Sequence, residues 1–215
     1  MRKPEWYRRT TWTSDDKTDF EAHLKRSRTS FHKAQYLRIQ AVHLQQVGTD
    51  SLLHAAMELL DRMIRDYPEA SQLSSAWQQR GQCSVDLGRH HDAIDAFRAA
   101  LQVQRQAPGW RNEAHLDLGE LIVQLRQREL YPEAIQALAE FGGGEVFPVS
   151  VYRHAVTRAL IADAMGETAT ARGYAQQALA AAAKDESPFR YHRKLGLVRF
   201  VDPDVLARLR ELCAA

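Results

Sequence analysis

The chain has 215 residues, 45% of them hydrophobic and 26% charged, with 11 Gly and 7 Pro, which excludes collagen-like, low-complexity and largely disordered classes. No run of 18 apolar residues is present, so no membrane span is expected, and the charged start Met1-Arg2-Lys3-Pro4-Glu5 does not read as a secretory leader. The net charge of +2 is uneven: residues 1–40 carry ten Lys/Arg against five Asp/Glu, 41–183 twelve against seventeen, and 184–215 seven against five, so the chain is no uniformly basic nucleic-acid binder.

Helical periodicity dominates, and no run alternates as a strand would. The first helix is expected over 15–30, behind the cap residues Thr13-Ser14, with Asp15 and Asp16 where the helix dipole favours negative charge. Phe20 and Leu24 share its inner face. The second, 32–47, turns Tyr36, Ile39, Val42, His43 and Val47 inward and stops at Gly48. The third, 51–66, carries Leu52, Leu53, Ala56, Leu59, Leu60, Met63 and Ile64 and ends at Tyr67-Pro68, since proline cannot continue a helix. Helices over 71–87 and 90–105 follow, closed by Gly88 and by Pro108-Gly109. The next are 111–128, and 131–141 before Gly142-Gly143-Gly144. Then come 149–165 before Gly166, and 168–184 before Ser187-Pro188. The last, about 203–213, opens on Asp202-Pro203, a cap residue with proline at the first helical position. Ten helices with short connections imply stacked antiparallel hairpins.

The strongest signal is a repeat of about 34 residues. One copy shows Trp77, Gly81, Leu87, Gly88, Ala93, Phe97 and Ala100. Gly81 and Ala93 let two helices approach closely, Gly88 supplies the left-handed turn, and Trp77 and Phe97 fill the space between hairpins. A second copy shows Leu118-Gly119, Ile122, Leu125, Ala134, Leu138 and Phe141, with about three extra residues around Arg126–Leu130. A third shows Ala155, Met165-Gly166, Ala171, Ala175 and Ala178, and a degenerate copy before them has Ala56, Leu60, Met63 and Pro68. On these residues the chain resembles the tetratricopeptide repeat superfamily over about 36–184, with copies at 37–70, 74–107, 112–145 and 152–185. The expected architecture is an all-α, right-handed helical-hairpin solenoid, with an aromatic, basic arm and capping helix over 1–35 and a connector and capping helix over 186–215. The strings Trp6-Tyr7-Arg8-Arg9-Thr10-Thr11-Trp12 and Phe189-Arg190-Tyr191-His192-Arg193-Lys194 look like those of bacterial cytoplasmic repeat proteins, which implies a fold and no activity.

No phosphate-binding glycine loop, dinucleotide fingerprint or serine nucleophile elbow is present. Gly142-Gly143-Gly144 lacks a following Lys, Ser or Thr and reads as a helix stop. The nine histidines include no His-x-x-x-His pair, so no metal and no cofactor is expected. Cys83 and Cys213 form no framework and read as free thiols in a reducing cytoplasm, Cys83 as buried filler. A cluster of His115, Glu120 and Tyr152 would be the one arrangement to favour an enzyme.

The resemblance implies a concave groove lined by the first helices of successive hairpins. Carried over by position, it would show Ser75, Gln78, Gln82, Val85 and Asp86, then Glu113, Leu116, Asp117, Glu120 and Val123, then Arg153, Val156, Leu160 and Asp163. The Lys and Asn that grip a terminal carboxylate in some relatives are absent there. An amide-rich, acidic groove suits a basic or amphipathic peptide, so the expected function is a non-enzymatic interaction module: an adaptor, a scaffold or an immunity-type neutraliser. The alternative is nucleic-acid binding by the N-terminal arm, with Arg2, Lys3, Arg8, Arg9, Lys25, Arg26, Arg28, Lys33 and Arg38 on phosphates and Trp6, Tyr7 and Trp12 on bases. The arm has two further possible roles: capping the apolar end of the solenoid, or lying in the groove of its own chain or of a second copy in a homodimer.

Overall fold

The computed structural model describes residues 5–214; Arg2 and Lys3 lie outside them. Every regular element among the described residues is helical. In chain order they are α1 (Ser14–Arg26), α2 (Ser30–Val47), α3 (Asp50–Asp66), α4 (Ala70–Asp86), α5 (His90–Gln106), α6 (Ala114–Gln124), a 3-10 turn (Arg128–Leu130), α7 (Tyr131–Phe141), α8 (Pro148–Ala164), α9 (Thr168–Ala182) and α10 (Pro203–Ala214). No described helix is long and apolar enough to cross a membrane. The chain forms two compact units, Met1–Ala114 and His115–Ala215.

Equivalent turns join α2 to α3, α4 to α5, α6 towards α7, and α8 to α9. Each contains one residue of positive φ: Gly48 (77°), Gly88 (71°), Arg126 (54°) and Gly166 (79°). After α4, α6 and α8 the same pair of hydrogen bonds closes the helix. Arg89 N–H donates to Ser84 C=O at 2.8 Å, Gln127 to Ile122 at 3.2 Å and Glu167 to Ala162 at 2.9 Å. The preceding N–H reaches Val85, Val123 and Asp163, the two-bond C-cap that favours glycine. The turns recur at 40, 38 and 40 residues, longer than the expected repeat of about 34. The extra residues of the second copy are the left-handed Arg126 and the 3-10 turn behind it.

In unit 1 the core is built from Phe20, Leu24, Leu37, Leu44, Leu53, Leu60 and Met63. α1 starts on a capping box: the Thr13 hydroxyl accepts from Asp16 N–H, and the Asp16 carboxylate accepts from Thr13 N–H at 2.9 Å. It ends at Arg26, four residues short of expectation, with Ser27 extended. The buried face of α2 is Ala34, Leu37, Gln40, Ala41 and Leu44; of the stripe expected, Tyr36 packs against this core and Val47 is exposed. α4 and α5 approach at Gly81, where any side chain would collide with the ring of Phe97. Cys83 is buried, and burial, aided by Asp86, pushes its thiol up to about 12.

In unit 2 Gly119 lies against Leu138 and Thr157, so α6, α7 and α8 meet there. α8 and α9 pair through Ala155, Ala159, Ala162, Ala171, Ala175 and Ala178, and α10 seals this small-residue core with Leu209 and Leu212. The expected Asp202 cap is present, accepting from Asp204 N–H at 2.9 Å and Val205 N–H at 3.2 Å. The connector before α10 is pinned where Val149 N–H donates to Gly196 C=O at 2.8 Å and Phe147 stacks on Phe189 at 5.2 Å.

Candidate functional site

Positions 75, 78, 79, 82 and 86 form one stripe of α4, at helical spacings of three and four. α2 turns Arg38, Val42, Gln45 and Gln46 towards Ser75, Gln78, Gln79, Gln82 and Asp86 of that stripe, and the two helices enclose a cleft of about 430 Å³. The helices are tied at both ends. Arg38 Nε donates to Gln72 Oε1 at 2.7 Å, and Gln45 Nε2 to Asp86 Oδ2 at 3.4 Å. Three of the residues expected to bind a partner, Gln78, Gln82 and Asp86, are thus brought together.

Two residues give the cleft its chemistry. Arg38 is half-buried; desolvation lowers its pKa, and among the described residues no carboxylate pairs with it. Gln79 is the most buried residue of the lining, 5% exposed, and among the described residues neither atom of its amide has a hydrogen-bond partner. Sequence reading passed over Gln79 because a glutamine between two other polar residues looks like surface.

The expected acidic residues of unit 2 are engaged internally. Arg153 Nε donates to Glu120 Oε1 at 2.7 Å, and Nη2 donates to Asp117 Oδ1 at 2.5 Å and Glu120 Oε2 at 2.6 Å. Burial alone would lower the pKa of Arg153, but the two carboxylates outweigh it and raise it. Asp163 takes a fork from Arg208 of α10, at 2.8 and 2.6 Å. Leu116 is wholly buried and offers no surface, a correction to its expected place on the groove. Glu113 precedes α6 instead of lying on it, because that helix starts at Ala114.

The carboxylate beside His115 is Glu145. The His115 ring stacks on Phe141 at 6.2 Å and lies 3.8 Å from Glu145, which also contacts His154 Nδ1 at 2.7 Å. Gly143 N–H donates to the second Glu145 oxygen at 2.8 Å. Burial alone would raise the Glu145 carboxyl, but the bonds from His154 and the main chain outweigh it and lower it. Glu145 therefore straps the glycine loop to α8. Among the described residues no group of three or more His, Cys, Asp or Glu is arranged to hold a metal ion.

The N-terminal arm folds onto α1 and α2. Trp6 stacks on His23 at 5.1 Å and leans on Phe20 and Tyr36 at 5.2 and 4.7 Å, and Trp12 meets Phe20 at 5.3 Å. Arg9 forks onto Asp16 and Asp19, and Arg8 pairs with Glu5. Of the groups proposed for nucleic acid, Trp6, Trp12, Arg8 and Arg9 thus contact their own chain. The arm's main chain is held by Gln40, which is wholly buried: Arg9 N–H donates to Gln40 Oε1 at 3.0 Å, and Gln40 Nε2 donates to Arg9 C=O at 2.8 Å.

No family model matches the chain, and no curated protein matches its sequence. Among solved structures it is similar to the crystal structure of BtubC (BKLC) from P. vanneervenii, with a TM-score of 0.52 and 17% identity over 86% of this chain and 71% of that one. At that identity the likeness is one of fold.

Proposed function

We propose that the chain is a non-enzymatic interaction module of tetratricopeptide type, and that the α2–α4 cleft of unit 1 receives a peptide segment of a partner protein. The single observation behind this reading is the cleft itself, where Gln78, Gln82 and Asp86 gather with the buried Gln79. The recurring left-handed turns and the close approach at Gly81 support the repeat assignment. The partner is amphipathic in this reading. A purely basic one loses its warrant, since Asp117, Glu120 and Asp163 already hold arginines of the same chain. An adaptor or a neutraliser would both use such a cleft, and the cytoplasm is the compartment that suits its free cysteines.

The test is selection from a displayed peptide library on the intact protein and on a Ser75→Trp/Gln82→Arg variant, which fills the cleft from half-exposed positions. Peptides enriched on the first and lost on the second are expected. No enrichment, or equal enrichment on both, overturns the proposal.

A further inference from the structure

Three glutamines of unit 1 are buried: Gln40, Gln79 and Gln104. Two of them hold main chain. Gln40 pairs both amide atoms with Arg9, as an adjacent strand would. Gln104 Oε1 accepts from Asn112 N–H at 3.3 Å while its Nε2 donates to the Asn112 side chain at 2.7 Å. The third, Gln79, lines the cleft with both amide atoms unmatched among the described residues. A buried amide lacking partners is unfavourable, and an extended backbone supplies the one donor and one acceptor it needs. From Ser75 to Asp86 the stripe runs roughly 16 Å along α4, room for about five extended residues.

We infer that Gln79 reads the main chain of an extended, internal segment of the partner, pairing with the N–H and C=O of one residue as Gln40 does with Arg9, while Arg38 takes an acidic side chain of that segment. The inference rests on the peptide-binding reading and adds the partner's conformation and charge. Arg38 suits the second role because, among the described residues, only its Nε is engaged, by Gln72, which leaves its Nη groups for a carboxylate. The aspartate or glutamate sits on the segment towards the start of α4, and the residue held by Gln79 lies further along that helix.

The probe is a pool of capped hexapeptides with aspartate fixed at the third residue and the other positions randomised, against the same pool with asparagine there. The tightest binder is then scanned by N-methylation of each peptide bond, on the wild-type chain and on Gln79→Leu, Gln79→Met and Arg38→Met, each checked by circular dichroism. N-methylation at one interior bond is expected to weaken wild-type binding at least tenfold and to have no further effect on the Gln79 variants. Aspartate to asparagine should cost about tenfold on wild type and nothing on Arg38→Met. A flat N-methyl scan, unchanged affinity in both Gln79 variants, or equal retention of the asparagine pool overturns this inference and leaves the peptide-binding reading standing. Failure of any hexapeptide to bind overturns both.

Discussion

Gln40 and Arg9 are joined by two hydrogen bonds, 3.0 and 2.8 Å long, that make one side-chain amide the partner of both main-chain groups of one residue. Gln79 has the same residue type and comparable burial but no such partner. The two positions therefore respond oppositely to the same substitution. Gln40→Leu strands the N–H and C=O of Arg9 and should lower stability by about 2 kcal/mol. Gln79→Leu removes an unmatched buried amide and should raise stability by about 1 kcal/mol, seen as a melting temperature roughly 2–4 °C higher. Thermal unfolding of both variants checks this pair.

Gly81 faces the ring of Phe97 with no room for a side chain. Gly81→Ala should destabilise by about 1–3 kcal/mol, as overpacking does. Phe97→Leu in the same chain should return part of that loss, because the atoms in collision are the far edge of the ring. Urea denaturation of the two single variants and the double variant gives the coupling directly.

The Asp16 carboxylate accepts from the Thr13 main chain, from the hydroxyls of Thr11 and Thr13 and from Arg9, which together hold its pKa at about 2. A carboxyl lowered in the folded state adds stability that is complete above its unfolded value and fades as pH falls towards the folded one. We expect unit 1 to lose stability between roughly pH 4 and pH 2 from this group, given the usual aspartate value. Asp16→Asn should be about 1 kcal/mol less stable than wild type at pH 7, with the gap closing near pH 2. Denaturation at the two pH values tests it.

Much of this architecture is legible in the chain because local chemistry decides it. Thr13, Gly48, Gly88, Gly166 and Asp202 mark helix ends through caps and left-handed turns that few other residues supply. Arg126 takes the same left-handed turn without being a turn residue, so the end of α6 reads four residues late. Leu116 reads as groove because it is carried over from Gln78 at the 38-residue offset that also matches Gly81 to Gly119, and its neighbours Asp117 and Glu120 are polar. The pairing of Arg153 with Asp117 and Glu120 spans 36 and 33 residues, beyond any local pattern. Gln79 is missed for the same reason: its burial is set by tertiary packing, which its polar neighbours in the chain do not reveal.

Arg153 is the balancing charge of that cluster, with about a quarter of its side chain exposed and Asp117 nearly buried. Arg153→Met should cost about 2 kcal/mol, less than a fully buried pair would, by leaving two carboxylates facing each other. Adding Asp117→Asn and Glu120→Gln should restore most of the loss. Urea midpoints of the single and triple variants decide whether the cluster is structural.

The most direct measurement of the central claim is the nuclear magnetic resonance signal of the Gln79 side-chain NH2, followed while the selected hexapeptide is titrated into the whole protein. We expect the pair to shift downfield and saturate at one equivalent, with the Gln40 pair unmoved because its partners are already in place. Peptide binding that leaves the Gln79 signals where they began would contradict the claim that this amide holds the partner's main chain.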